Sequence, residues 1–280
     1  MKRFRSLGLL LLAGLSAILI VFVQLRTAAQ TTSVHLTMGN PSGAVTSTTS
    51  PSNYLMIKPQ YALSYHRDRG IPNWVSWQLN SSWLGSAPRQ DDFRADTTLP
   101  SGWYRVTTSD YTGSGFDRGH MTPSADRTNT ITNNSSTFLM TNIIPQAPDN
   151  NQGPWAQLED YCRSLVSQGK ELYIISGGYG TGGTGSNGGK TTIASGKVTV
   201  PDRTWKVIVV LDQPGSGVSG VTSNTRVIAV NMPNDQGIRS NTWRSYRVSV
   251  DSIETATGYN FLSNVSSSIQ SVIESRVDTL

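Results

Sequence analysis

The chain contains only three histidines, and one of them, His120, lies in a segment suited to chemistry. His35 falls in a polar N-terminal stretch, and His66 is followed by three charged residues, which is typical of a solvated turn. His120 lies within residues 115–123, where charged residues, glycines and a lone histidine are packed between turn signals. A neutral imidazole can take a proton from water near pH 7, although a structural histidine would show the same spacing. His120 is therefore a candidate general base.

A second polar cluster leads into a helix that we predict from about residue 153 to residue 168. Pro154 fits a helix only in its first turn, so Asn151 is expected at the mouth of this helix. Taken alone, an Asn at this place is most simply an N-cap. Glu159 and Arg163 are four residues apart and share one helix face.

The motif DRGH at residues 117–120, followed by NQG at 151–153 and by Glu159, resembles the signature of the DNA/RNA non-specific endonucleases. The similarity extends from Tyr54 to the C-terminus and is closest to the cyanobacterial sugar-non-specific members of that family. It implies an α+β, ββα-metal nuclease fold with a central antiparallel sheet flanked by helices. It also implies hydrolysis of single- and double-stranded DNA and RNA that leaves 5′-phosphate ends.

The resemblance implies a role for each matching residue. His120 takes the place of the general base, Asn151 that of the sole direct protein ligand of one Mg²⁺ or Mn²⁺, and Glu159 that of an acid holding metal-bound water. Arg89 matches the arginine that stabilises the pentavalent phosphate. The other matches are Asp117 and Arg118 as further catalytic residues, and Arg118, Asn142 and Arg163 as substrate contacts.

These residue types suit the reaction on physical grounds. A phosphodiester is anionic, so hydrolysis needs an activated water, charge neutralisation at phosphorus and help for the leaving oxygen. A hard cation with oxygen ligands polarises the phosphate. Arginine binds phosphate bidentately. Contacts to phosphate carry no direct sequence information, which predicts that both DNA and RNA are substrates.

The first 29 residues have the layout of an export signal. Positive charge precedes an apolar run from Leu7 to Val23, and small residues follow before position 30. An uncleaved membrane anchor is the alternative, because the run approaches the roughly 20 residues of a membrane span. We expect a periplasmic or secreted protein that meets a membrane only through this segment if it stays uncleaved. Residues 30–53, rich in small polar residues, are predicted to be a flexible leader, and residues 54–280 the nuclease domain.

The net charge of +5 is a weak argument for nucleic-acid binding. Four of the 23 basic residues lie in the first 29 positions, which hold no acidic residue, so 19 basic and 18 acidic residues remain. Any nucleic-acid site must therefore use local charge. A protein inhibitor inside the producing cell is expected, because an unrestrained nuclease is toxic before export.

Alternation with a period of two and short apolar runs between breakers predict the strands, at residues 61–65, 74–79, 138–144, 172–176, 205–211 and 227–231. Two further helices are predicted, one opened by a box-like sequence at 251–254 and ended by Gly258, and one near the C-terminus. Glycines recur from 177 to 189, which predicts a mobile loop without regular structure. Its resemblance to a P-loop fails, because Thr184 replaces a required glycine.

Other functional classes are less well supported. Cys162 is the only cysteine, which excludes an intramolecular disulfide, and apolar neighbours at helical spacing predict that it is buried. A serine hydrolase would need a Gly-x-Ser-x-Gly elbow, which is missing from the sequence. The remaining alternative is a catalytically inactive exported protein that binds nucleic acid. Against it, every matched position keeps a chemically competent residue.

Overall fold

The computed structural model describes residues 33–280. The strands are β1 (Tyr54–Ile57), β2 (Ala62–His66), β3 (Ile71–Leu79), β4 (Asp117–His120), β5 (Ile143–Gln146), β6 (Glu171–Tyr179), β7 (Gly183–Gly185), β8 (Gly188–Lys190), β9 (Thr192–Ile193), β10 (Val198–Thr199), β11 (Arg203–Leu211), β12 (Arg226–Pro233) and β13 (Arg247–Val248). The α-helices are α1 (Ile131–Ser136), α2 (Pro148–Asn150), α3 (Ala156–Ser167), α4 (Val250–Thr257) and α5 (Ser267–Ile273). The predicted signal, residues 1–29, lies outside the described residues.

A seven-stranded antiparallel sheet organises the domain, in the order β1-β2-β3-β6-β11-β12-β13. Three two-stranded sheets, β4 with β5, β7 with β8 and β9 with β10, complete the α+β fold that the sequence predicts. Between Ser33 and Leu280, no helix has the length and hydrophobicity needed to cross a bilayer.

The large sheet is buried on both faces, which explains the unbroken apolar run of β11. Ile208 belongs to the core that includes Leu158 of α3, whereas Val209 belongs to the core that includes Val250 of α4. Burying each such side chain stabilises the fold by about 1.5–3 kcal/mol. Successive residues of one strand therefore anchor helices on opposite sides of the sheet.

Most predicted elements are present, with shifted ends. The strand predicted at 138–144 begins only at Ile143, because a 3-10 turn occupies residues 140–142. Helix α4 ends at Gly258, which has φ 73°, as predicted. Its N-cap is Ser249, whose side chain accepts from the Ser252 N–H, so the helix begins slightly before the predicted box.

The prediction of a flexible leader over residues 30–53 is wrong for its described part. His35 is buried at 2% exposure, and Met38 and Ala44 pack in the core beside α4. The His35 ring also bonds with the backbone of β3 and of residue 59. A few buried anchors and these bonds are enough to fix a segment whose composition is mostly polar.

The glycine-rich segment is also more regular than predicted, since β7 and β8 form a short hairpin. Glycine suits this place because other backbone comes very close: a Cβ on Gly183 would lie 2.7 Å from the carbonyl oxygen of Asn234. At the hairpin tip, the Ser186 N–H donates to the carbonyl of Gly115 at 2.9 Å. The hairpin thus supports the backbone just before β4.

Candidate active site

Strands β4 and β5 and helix α3 form a ββα unit around the predicted motif residues. The two strands are antiparallel, with Asp117 opposite Gln146 and His120 opposite Ile143. The chain then passes through α2 and a π-helical turn, Asn151–Trp155, into α3. This connection brings the start of the helical segment back to the first residue of β4.

The glycine of the DRGH motif is required by packing. A Cβ on Gly119 would lie 2.2 Å from Oε1 and 2.5 Å from Cβ of Gln146 on the neighbouring strand. The side-chain amide of Gln146 in turn donates to Asn150 Oδ1 at 2.7 Å. Gly119 therefore lets the two strands approach closely while leaving Gln146 in place to brace the segment that leads to Asn151.

The π-helical turn has a comparable requirement at Gly153. This residue has φ −111° and ψ −116°, outside the helical region. Its added Cβ would lie 2.8 Å from both Cα and the carbonyl oxygen of Arg239. Pro154 follows inside the turn, and the regular helix begins only at Ala156. The spacing of Asn, Gly and Pro thus builds a local irregularity that presents Asn151.

Asn151 does not act as an N-cap. Its backbone is already helical, and its side-chain Nδ2 donates to Asp117 Oδ2 at 2.8 Å. The same carboxylate oxygen accepts from Gln152 Nε2 at 2.7 Å. Among residues 33–280 no donor reaches Asn151 Oδ1. Asp117 therefore fixes the amide orientation and leaves a carbonyl oxygen available.

A cleft of about 510 Å³ opens beside this oxygen. Most of the other lining side chains are aromatic or carry a hydroxyl group. Four predicted site residues line the cleft: Arg89, Asp117, Arg118 and Asn151. Phe93 and Tyr111 also line the cleft. The wall thus combines two guanidinium groups with two carboxylates, Asp91 and Asp117, and one amide side chain. Guanidinium groups are suited to binding phosphate.

Aromatic rings and short hydrogen bonds position the two arginines. The Arg118 guanidinium lies 4.3 Å from the ring centroid of Phe93, and that of Arg89 lies 4.9 Å from the ring of Phe138. Arg89 also donates to Ser124 Oγ at 2.9 Å and pairs with Asp91 at 2.7 Å. Stacking on a ring holds each guanidinium plane, and the N–H groups that protein atoms do not use, on Arg118 and on Nη2 of Arg89, stay available to an anion.

His120 lies beneath the cleft wall, packed against aromatic rings. Its ring centroid is 5.3 Å from that of Phe93 and 4.9 Å from that of Phe138, the latter edge-on. Nε2 is buried and has no hydrogen-bond partner within residues 33–280. Burial, together with the charges of Arg89 and Arg118, lowers the pKa of His120 to about 3. The imidazole is therefore neutral at physiological pH and keeps an unused nitrogen.

The donor chemistry of the cleft fits a hard divalent cation. Asn151 offers an unpaired amide oxygen, and the Asp117 carboxylate lies next to it. Mg²⁺ and Mn²⁺ prefer oxygen ligands, and Mg²⁺ commonly keeps several waters. One free oxygen at the wall of an open cleft is consistent with this behaviour.

Glu159 and Arg163 of α3 do not line the cleft, and each is paired with another charged side chain. Glu159 Oε1 lies 3.5 Å from Lys206 Nζ, and burial raises the pKa of Glu159 to about 7 despite that cation. Arg163 donates to the buried Asp126 at 2.8 Å. In this arrangement the Arg163 guanidinium neutralises a protein carboxylate, so a phosphate contact would require this pair to open.

Asn142 is not placed to contact substrate, contrary to the prediction. It is fully buried, and its Oδ1 accepts from the Thr122 N–H at 2.9 Å. Its Nδ2 donates to the carbonyl oxygens of Thr122 and Thr137, both at 2.9 Å. The amide is committed to backbone groups and holds the segment that follows His120.

Several residues that shape the site were missed by the sequence interpretation. Phe93 lines the cleft, packs against the His120 ring and carries the Arg118 guanidinium, and its sequence position gave no evident signal. Lys206 partners Glu159, and a lysine inside the apolar run of β11 was a signal. The Tyr111 hydroxyl, buried with no partner in the described part of the chain, had no evident signal.

Comparison with known proteins agrees with this geometry. The model of the DNA/RNA non-specific endonuclease family matches residues 38–268. A nuclease of Nostoc sp. is 63% identical over 246 residues, covering 88% of this chain and 86% of the relative. Human mitochondrial endonuclease G is 33% identical over 218 residues, covering 75% of this chain and 70% of the relative.

The fold is similar to that in the crystal structure of the EndoG/EndoGI complex, with a TM-score of 0.68 at 24% identity, covering 84% of this chain and 94% of the solved one. Both the sequence matches and the ββα unit that presents Asn151 and His120 lead to one assignment. The chain belongs to the DNA/RNA non-specific endonuclease family and is a nuclease.

Proposed function

We propose that this protein is an exported, sugar-non-specific endonuclease that cleaves single- and double-stranded DNA and RNA at one metal-dependent site and leaves 5′-phosphate ends. The observation that carries the proposal is the shared cleft, which is lined by Asn151 with its free oxygen, by Arg89 and Arg118, and by Phe93, against which the neutral His120 packs. The family membership of the chain supports the same chemistry.

Substrate binding is assigned to Arg89 and Arg118. Both guanidinium groups lie against aromatic rings and line the cleft, so they can receive a phosphate with little loss of side-chain freedom. Charge-assisted bonds to phosphate oxygens are stronger than neutral ones. Because such contacts do not read base edges, they explain acceptance of both sugars and of any sequence.

His120 is assigned the proton transfer from the attacking water. In the free protein its pKa is low, partly because of Arg89 and Arg118. A bound phosphate offsets those two positive charges, so substrate binding raises the proton affinity of the imidazole when a base is needed. General-base catalysis of this kind contributes roughly 10²–10⁴-fold in rate.

Asn151 is assigned the direct contact to Mg²⁺ or Mn²⁺, with Asp117 fixing its amide. When bound, the cation supplies Lewis-acid stabilisation of the phosphate and of the leaving 3′ oxygen. Glu159 is proposed to help hold the hydrated cation, with Lys206 at 3.5 Å favouring the ionised carboxylate that this requires. Arg163 is proposed to support the site through Asp126 and to meet substrate only after that ion pair opens.

The proposal also covers export of the protein and its inhibition inside the producing cell. The first 29 residues have the pattern of a signal, so mature protein recovered from the periplasm or medium should begin near Gln30. An intracellular protein inhibitor is proposed because a nuclease acting before export would be toxic. The solved complex of similar fold is described as showing the mechanism of EndoG inhibition, which gives this idea a structural precedent.

The test is digestion of plasmid DNA and total RNA by the purified protein with Mg²⁺, with Mn²⁺ and with EDTA. We expect both substrates to be degraded with either metal and neither to be degraded with EDTA. Product ends should be labelled by a polynucleotide kinase only after phosphatase treatment, as 5′-phosphates require. A folded protein that retards DNA in a gel but cleaves neither substrate would instead support the inactive binding protein.

A further inference from the structure

Three carboxylates from the C-terminal part of the chain, none of them in the nuclease motif, lie close together. Asp251 and Glu254 are three residues apart on α4 and share one helix face. Glu274 directly follows α5. One oxygen from each of the three carboxylates lies within 4.8 Å of the others. The Asp251 N–H donates to the carbonyl of Glu274 at 3.1 Å, which holds the two helices at this place.

No positive side chain in the described part of the chain neutralises this cluster. None of its three members forms an ion pair with an arginine, lysine or histidine there, and Glu254 Oε1 accepts only from the Phe261 N–H, at 2.7 Å. By contrast, Asp278 in the same C-terminal segment lies 2.7 Å from Arg226 and 3.6 Å from Arg247. Asp278 is thus neutralised by arginine side chains, whereas the three carboxylates of the cluster are not.

The most buried member also has an unused ligand atom. Glu274 is only 5% exposed, and its Oε1 is buried without a hydrogen-bond partner in residues 33–280. Burial and the neighbouring charges of Glu254 and Asp251 raise the pKa of Glu274 to about 8. A carboxylate placed in this way is stable near neutral pH only if it takes up a proton or a cation.

We propose that Asp251, Glu254 and Glu274 form a binding site for a hard divalent cation, with Ca²⁺ the best fit. All three ligands are carboxylate oxygens, which hard cations prefer, and the spread of up to 4.8 Å suits the irregular coordination that Ca²⁺ accepts. Asp251 is exposed, so the ion has an entry path and room for water ligands. The bound ion would tie α4 to the C-terminal segment, independently of the nuclease cleft.

Calcium titration tests this site separately from the nuclease cleft if Asn151, the proposed metal ligand of the cleft, is first replaced. In Asn151→Ala protein, isothermal titration should detect one Ca²⁺ per chain, and a Ca²⁺ concentration of about 10 mM should raise the melting temperature by about 5 °C. The further substitution Glu274→Gln should abolish both effects. Asp251→Asn, at an exposed position, should weaken binding at least about tenfold and replaces Glu274→Gln in the test if that substitution prevents folding.

Glu171→Gln in the same background is the matched control. Glu171 is equally buried, but its carboxylate already accepts from Gln78 and Asn80 at 2.9 and 2.8 Å. This control should keep the full calcium response. The proposal is overturned if Asn151→Ala protein binds no Ca²⁺, or if the response survives Glu274→Gln. The proposal is likewise overturned if the melting temperature rises at lower pH but does not respond to Ca²⁺, because a shared proton then neutralises the cluster.

Discussion

His35 and His120 are both buried, yet only one of them is available for chemistry. The His35 Nδ1 accepts from the Gln78 N–H at 3.1 Å, so its Nε2 must be the donor to the Pro59 carbonyl at 2.9 Å. His120 Nε2 has no partner within residues 33–280, and two cationic side chains act on its ring. Burial lowers the pKa of both, to about 4 and about 3. The lowered pKa therefore does not identify the base, whereas the unused nitrogen does.

Asn142 and Asn151 repeat this contrast. Asn142 uses both ends of its amide on backbone groups, whereas Asn151 uses only its Nδ2 and keeps a free oxygen in the cleft wall. Two classes of polar side chain are thus present: one uses its hydrogen bonds on backbone groups, as Asn142 does, and the other keeps an atom free for a ligand, as Asn151 does. Substitutions in the first class should lower stability, and substitutions in the second should lower activity.

The asparagine pair should give the largest difference. Asn151→Ala should reduce the rate of DNA cleavage by about 10²-fold or more, because it removes an electrostatic contact to the reacting centre. Its melting temperature should stay close to that of the parent. Asn142→Ala should lower the free energy of unfolding by about 1–3 kcal/mol, since it leaves buried backbone groups unpaired. Cleavage rates per folded molecule and thermal melts check both; an Asn151→Ala enzyme with parental activity would remove Asn151 from the site.

The pH dependence of stability sharpens the histidine comparison. His120 has a folded pKa of about 3 against 6.5 for the ordinary side chain. Below pH 6.5 the imidazole of His120 takes up a proton in the unfolded chain but stays neutral in the folded one. The free energy of unfolding therefore decreases as pH falls from 6.5 towards 3.

Relative to His120→Asn, the parent should lose stability by up to about 1.4 kcal/mol per pH unit in that window. Denaturant unfolding in EDTA at several pH values between about 7.5 and about 4.5 measures the difference, and the other histidines cancel between the two proteins. The same trend is expected for His35→Asn, because burial causes both shifts. Parallel stability curves for parent and His120→Asn would show that His120 is not buried in its neutral form.

Two buried threonines provide the smallest contrast. The Thr122 hydroxyl has no partner in the described residues, whereas the Thr141 hydroxyl donates to Asp96 at 2.7 Å. Thr122→Val should raise the free energy of unfolding by about 1 kcal/mol, and Thr141→Val should lower it by about 1–3 kcal/mol. Denaturant titrations compare them. Equal effects from the two substitutions would mean that the Thr122 hydroxyl is satisfied in solution.

The motif residues were predictable because their types and spacing, DRGH followed by NQG, resemble a family signature. The structure gives two of the glycines a packing reason: Gly119 lies against Gln146, and Gly153 lies against Arg239. The sequence indicated the residues that meet in the cleft, and the alternation of apolar residues indicated most strands.

Features that depend on distant partners were not predictable. The bonds of His35 to residues 59 and 78 order a segment whose composition predicts flexibility. The pairing of Arg163 with Asp126 and of Glu159 with Lys206 depends on how α3 packs against residues far away along the chain. Composition and spacing describe one segment at a time, so they do not show which polar groups a distant segment will satisfy.

Single-turnover cleavage of one defined DNA duplex by the parent, His120→Ala and His35→Ala proteins tests the central claim most directly. At saturating Mg²⁺, His120→Ala should cleave about 10²–10⁴-fold more slowly while still binding DNA. His35→Ala should cleave at the parental rate per folded molecule and melt at a lower temperature. A His120→Ala protein that cleaves as fast as the parent would contradict the assignment of His120 as the base.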